Sequence, residues 1–140
     1  MLEFIMRIFT AGFLGFLIGM LNKSVYDQPF ARLFSIICMA SCLLTVTSME
    51  FFKMMDLPWV ADPGRLSAQV LSALGFLGTG LLWIGRDNKI RGLSVGASMW
   101  FTAILGMMVG IALNHIAIIG LVFLVSVYCL SNKVSRGRFF

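Results

Sequence analysis

Between Leu66 and Ile84 the chain runs for nineteen residues without a charged side chain. As a helix rising ~1.5 Å per residue, that stretch is about 28 Å long, close to the hydrocarbon thickness of a bilayer. The rest of the chain follows the same pattern. Of 140 residues, 59% are hydrophobic and 12% charged, whereas soluble domains carry about 25% charged residues. Apolar runs recur over 4–21, 33–48, 66–84, 93–113 and 116–130. In lipid every backbone N–H and C=O must find a partner within the protein, which a helix provides locally. These runs predict an all-α integral membrane protein, a bundle of about five transmembrane helices forming one domain over 1–140. The first twenty residues lack a basic n-region and a small-x-small cleavage site, so they read as a span rather than a signal peptide.

The third segment carries the most information. Asp62 is placed to cap it and Pro63 to occupy its first helical position, where a missing N–H costs nothing. Arg65, Gln69, Ser72 and Thr79 fall on one stripe at helical spacing, flanked by Ala68 and Gly75, with Gly78 and Gly80 following. Small residues let helices approach closely in lipid, and polar groups bond across the contact. Arg65 is the candidate anchor of a polar network with Gln69, paired with Asp62 or another acid. Gly85 is placed to end this segment, and the basic run Arg86–Gly92 turns the chain.

Segment one offers a small stripe at Ala11, Gly15 and Gly19, and segment four another at Ser98, Thr102, Gly106 and Gly110. Segments one, three and four are therefore expected to pack together. Segment two is short for a span, and its Ser41, Thr45 and Ser48 share a face, their hydroxyls bonding back within the helix or to a neighbour. Glu50 to Asp62 reads as the longest loop, with Trp59 at the membrane surface. Asn114 and His115 read as a tight turn. Segment five, apolar nearly all round, reads as a peripheral helix facing lipid. Arg7 reads as a side chain reaching to the interface.

The formal net charge is +5. A nucleic-acid partner is not the reading, because the basic residues sit in short connections between apolar runs, where membrane topology accounts for them. With five spans, one side holds Lys23, Arg32, Arg86, Lys89, Arg91, Lys133, Arg136 and Arg138, eight of the eleven Lys and Arg. The positive-inside rule places that side and the C-terminus in the cytoplasm, with the N-terminus outside.

The series DPGRLSAQVLSALGFLGTG from Asp62, followed by IRGLSVGASMW from Ile90, resembles the MgtC/SapB family of bacterial inner-membrane proteins in order and spacing. The glycine-rich GFLIG around Gly15 and Gly19 is similar to the family's first segment. Leu21, Asn22 and Lys23 stand where the family carries an acidic–arginine pair. Ser94 stands for the usual Asn after RGL, and Phe101 where a Cys is common. Many members add a soluble C-terminal domain, which is not expected here. The resemblance implies growth and survival at low Mg²⁺ and a role in virulence. It also implies action on other membrane proteins, including the F-type ATP synthase, rather than carriage of magnesium.

Catalytic chemistry is not indicated. The single histidine, His115, has no evident nucleophile or orienting partner. The GFLGTG run imitates a phosphate loop but lies inside an apolar span with no following Lys. Cys38, Cys42 and Cys129 lie in apolar runs and read as buried small hydrophobes, so neither a metal nor a cofactor is expected. Two readings remain. One is a non-enzymatic interaction protein, with Asp62, Arg65, Gln69, Ser72, Thr79, Arg86, Arg91 and Ser94 as candidate partner or polar-network residues, and Gly15, Gly19, Gly75, Gly78, Gly80, Gly106 and Gly110 as packing positions. The other is a small Mg²⁺-linked ion transporter or channel, assembled as an oligomer around the polar stripe. Beyond the bilayer, a second membrane protein is the expected partner, and a homodimer is open to the same small-residue faces.

Overall fold

A computed structural model of the chain describes residues 2–22, 30–55, 62, 64–85, 88 and 90–137. Five helices carry the fold: α1 (Leu2–Leu21), α2 (Phe30–Met55), α3 (Gly64–Gly80), α4 (Leu93–Gly110) and α5 (Asn114–Gly137). Between α3 and α4 lies a two-residue antiparallel pair, β1 (Trp83–Ile84) and β2 (Ile90–Arg91), with Trp83 opposite Arg91 and Ile84 opposite Ile90. Three helices, α1, α2 and α4, are long and apolar enough to cross a membrane.

The helices alternate in direction. Gly19 of α1 lies against Ala31 at the start of α2, and Gly12 against Met39 further along, so these two run antiparallel. Gly106 and Gly110 of α4 meet Cys38 and Thr45 of α2 in the same order, so α4 runs parallel to α2. The Trp100 indole N–H donates to the Leu71 carbonyl at 3.3 Å, and Gly78 faces Gly96, which sets α3 antiparallel to α4. Gly120 of α5 faces Leu105 and Phe101, and Tyr128 reaches Ser98 further down. Arg32, Arg91, Lys133 and Arg136 thereby lie at one end of the bundle.

The packing differs from the expected grouping of segments one, three and four. The closed core is α1, α2 and α4, with Ile18, Phe34, Cys38, Cys42, Leu105 and Val109 buried within it. The reason is visible on α2. Its inward face is itself small, with Ala31, Ser35, Cys38 and Cys42, so it receives the glycine faces of both neighbours. A Cβ at Gly15 would stand 2.5 Å from the Phe34 carbonyl oxygen, and one at Gly106 would overlap the Cys38 carbonyl. The Ser35 hydroxyl adds a bond across the first contact, donating to the Gly12 carbonyl at 2.8 Å. Thr45 bonds back to the Ser41 carbonyl at 2.9 Å within the same turn.

Several limits also move. α2 is 26 residues long, about 39 Å, and is not short for a span. It runs through Glu50, which pairs with Lys53 at 2.7 Å, so the expected loop begins only after Met55. α3 ends at Gly80, four residues before Ile84. Three glycines in its last six positions weaken the helix. Tighter turn bonds from Leu81 to Gly78 and from Leu82 to Thr79 then release the chain into β1. α4 ends at Gly110, and Ala112 with φ 64 carries the turn, so Asn114 and His115 form the first turn of α5 instead. Arg7 reaches to the end of the bundle, 4.0 Å from the Glu3 carboxylate one turn nearer the N-terminus. Its guanidinium donates to the Gly110 carbonyl at 2.8 Å and stands 5.6 Å over the Phe4 ring, closing the exposed C-terminal carbonyls of α4.

Candidate functional site

The polar stripe of α3 lies on the outside of the bundle. Arg65, Gln69, Ser72 and Thr79 are all exposed, and only Leu74 of this helix is buried. Ser72 bonds back to the Ala68 carbonyl at 3.3 Å and Thr79 to the Phe76 carbonyl at 2.7 Å. Among the described residues, the Arg65 and Gln69 side chains meet neither each other nor another polar group. Asp62 takes the capping position: its Oδ1 accepts from the Gly64 N–H at 2.9 Å, and its carbonyl from the Arg65 N–H at 3.2 Å. Pro63 lies outside the described residues, as do Asp56, Trp59, Arg86 and Lys89.

The expected packing glycines divide into two sets. Gly15, Gly19, Gly106 and Gly110 stand where a side chain would strike the neighbouring helix. Gly78 faces Gly96 across α3 and α4, with Cβ space at ordinary van der Waals distance. Gly75 and Gly80 have nothing within 4 Å of an added Cβ, so among the described residues they pack on no helix. The face of α3 bearing Ser72, Gly75 and Thr79 is therefore uncovered.

A second polar group was not singled out by spacing. At the basic end of the bundle Asn22, Ser98 and Tyr128 meet, one each from the ends of α1, α4 and α5. The Tyr128 hydroxyl donates to Asn22 Oδ1 at 2.7 Å, and the Ser98 hydroxyl lies 2.6 Å from Tyr128 Oη. Ser98 also has the Ser94 carbonyl at 2.9 Å and Asn22 Oδ1 at 3.3 Å within reach. The Asn22 amide donates to the Ile18 carbonyl at 3.2 Å, and Thr102 to the Ser98 carbonyl at 2.7 Å. Asn22 and Ser98 are buried, and every buried side-chain N and O atom among the described residues has a partner. Ser94, one turn before Ser98, borders this cluster through its backbone. The three residues lie 76 or more positions apart along the chain, except Ser98 and Tyr128 at 30. The available signal is depth. With helices that alternate in direction, Asn22, Ser98 and Tyr128 all fall near the same end of the bundle.

The family model described as MgtC family matches residues 8–137, nearly the whole chain. This chain belongs to the MgtC family. It is similar to an uncharacterized protein of Haemophilus influenzae, 31% identical over 134 residues, which cover 93% of this chain and 56% of that protein. It is similar to the "Putative magnesium transporter YhiD" of Escherichia coli strain K12, 33% identical over 120 residues, covering 84% of this chain and 55% of that one. It is also similar to "Protein SapB" of Bacillus subtilis, 28% identical over 130 residues, covering 87% and 53% respectively. The chain thus spans about half the length of these relatives. No solved structure matches it. With its apolar helices, this MgtC family member is a multi-pass bacterial membrane protein.

Proposed function

We propose that this chain acts without catalysis, by holding a second membrane protein against the open face of α3, in adaptation to low magnesium or in virulence. The observation that carries this reading is the state of α3: a helix with one buried residue, an exposed Arg65 and Gln69, and glycines with empty space beside them. In hydrocarbon an amide such as that of Gln69 is costly unless bonded, and a covering helix relieves it. Ser72, Gly75 and Thr79 permit that helix to approach closely. Arg86, Arg91 and Ser94 belong to the cytoplasmic side of the same contact, with Asp62 at the outer end. Family resemblance makes the F-type ATP synthase the first partner to test, and a second copy of the chain the next. A photo-crosslinker at Ser72 is expected to capture another membrane protein in native membranes, while one at Phe9, on the outer face of α1, captures none. Capture at both positions alike, or at neither, would sink the reading.

The same proposal orients the chain with its C-terminus in the cytoplasm, since Arg32, Arg91, Lys133 and Arg136 share one end. A cysteine introduced at Trp59 is expected to react with an impermeant thiol reagent added outside whole cells, and one at Asn132 only after permeabilisation. The reverse pattern would invert the topology.

The name of the Escherichia coli relative favours a second reading, a Mg²⁺-linked transporter. The glycine contacts bring α1, α2 and α4 backbone to backbone, so the path would lie between several copies, lined by Gln69, Ser72 and Thr79. Mg²⁺ flux into proteoliposomes above that of empty vesicles, abolished by Gln69→Leu, is its expected result.

A further inference from the structure

Among the described residues, clefts open at three places on the bundle surface. One lies between α1 and α2, beside Phe13 and Met39, and one at the outer end of α2, α3 and α4, beside Met49 and Ile111. Both have almost wholly apolar walls. The third, 310 Å³, lies between α4 and α5 and differs in two respects. Its walls are Ala97 and Phe101 on one side and Leu124 and Val127 on the other, but one end is polar, with Ser94, Ser98 and Tyr128. It also opens towards the basic end of the bundle: Arg91 precedes Ser94 by one turn, and Lys133 and Arg136 follow Tyr128 in α5.

We propose that this cleft is a binding site for an anionic phospholipid. One acyl chain lies between Phe101, Leu124 and Val127, and the phosphate lies beside the Ser94 hydroxyl at the basic end. Apolar length and polar end are in the order a lipid presents from mid-membrane to surface. The cleft volume is at the lower end of the roughly 300–1,000 Å³ of small-molecule sites, which suits one chain rather than two. The charge complements the ligand. Among the described residues, Arg32, Arg91, Lys133 and Arg136 lie at this end of the bundle. The occupant is held from both sides by helices that already touch through Tyr128 and Ser98, so α5, otherwise apolar and peripheral, gains a fixed seat. The polar stripe of α3 does not line this cleft, although Ser94 and Arg91 border both it and the proposed α3 contact.

The test uses the full chain in a mild neutral detergent, titrated with phosphatidylglycerol and with phosphatidylcholine bearing the same fluorescent acyl chain, read by anisotropy. Phosphatidylglycerol is expected to bind about fivefold or more tightly, the effect of at least one basic side chain near an anionic headgroup. That preference shrinks between about 0.1 M and about 1 M salt, where the Debye length falls from about 10 Å to about 3 Å. Ala97→Phe and Val127→Trp fill the cleft from opposite walls. Each is expected to weaken phosphatidylglycerol binding about tenfold, as losing a few buried methylenes would, while the melting temperature holds. Equal binding of the two lipids, a preference indifferent to salt, or unchanged phosphatidylglycerol binding in either folded variant would overturn the proposal.

Discussion

Gly106→Ala is expected to lower the stability of the purified protein by about 1–3 kcal/mol, the usual cost of forcing atoms into a closed core. The added Cβ meets the Cys38 carbonyl and the backbone beside it rather than a side-chain tip. No rotamer change relieves that overlap, so α2 and α4 must separate. Gly15→Ala is expected to act similarly on the other side of α2, its Cβ standing 2.5 Å from the Phe34 carbonyl and 2.8 Å from Cys38 Cβ. Because both substitutions press on Cys38, their effects are coupled. Each single variant lets α2 shift towards the free side, and the double variant removes that escape, so its loss exceeds the sum. Gly75→Ala is the contrast, within about 0.5 kcal/mol of the parent, because its Cβ enters open space. Thermal unfolding of the four variants in one detergent checks this. A Gly106 variant as stable as the Gly75 variant would mean that the close approach of α2 and α4 is not present in the folded protein.

The second large effect belongs to the buried cluster. Asn22→Ala removes the acceptor of the Tyr128 hydroxyl and leaves that group and Ser98 with only each other and the Ser94 carbonyl. The expected loss is about 1–3 kcal/mol, the cost of a buried polar group without its partner. Tyr128→Phe removes one donor while Asn22 keeps its bond to Ile18, and Ser98→Ala leaves the Tyr128–Asn22 bond intact, so each costs less, about 0.6–1.7 kcal/mol for hydrogen bonds in lipid. Because the cluster ties α5 to α1 and α4, hydrogen exchange in the last turns of α5 is expected to rise with the same ranking. Equal losses for all three variants would contradict the hydrogen-bond assignment around Asn22 Oδ1.

The two effects stand at opposite poles of legibility. Gly15, Gly19, Gly106 and Gly110 are visible as packing positions because a helix repeats every 3.6 residues, and small residues four apart must share a face. What they pack against is not visible, since a glycine face is complementary to any other small face. Segment three looked like their partner for its own glycines. α2 took that place through Ala31, Ser35, Cys38 and Cys42, whose sizes are less conspicuous in a list of apolar residues. In sequence Asn22 stands out only as a departure from the family's acidic–arginine pair, and Tyr128 is one polar group in an otherwise apolar helix. Their meeting depends on three helix ends arriving at one depth, and no local pattern encodes that.

The boundaries show the same division. Asp62 as a cap needs only its own side chain and the next two residues, and the structure has that bond. The end of α3 at Gly80 needs the competition between a glycine-weakened helix and a strand pair with Ile90 and Arg91, residues beyond the turn. Arg7 has an unremarkable sequence environment, and its role exists only because the last carbonyl of α4 comes within 2.8 Å.

Hydrophobic run length and helical period are local properties of the chain, so the solvent, the helical class, the number of helices, the family and the residues able to lie close to a neighbour are legible without a fold. Which helices close the core, that the α3 stripe faces outward, and that a polar cluster joins α1, α4 and α5 follow from contacts between distant residues. In lipid the hydrophobic effect does not choose between helix faces, so the arrangement is set by shape and by hydrogen bonds between residues far apart in the chain.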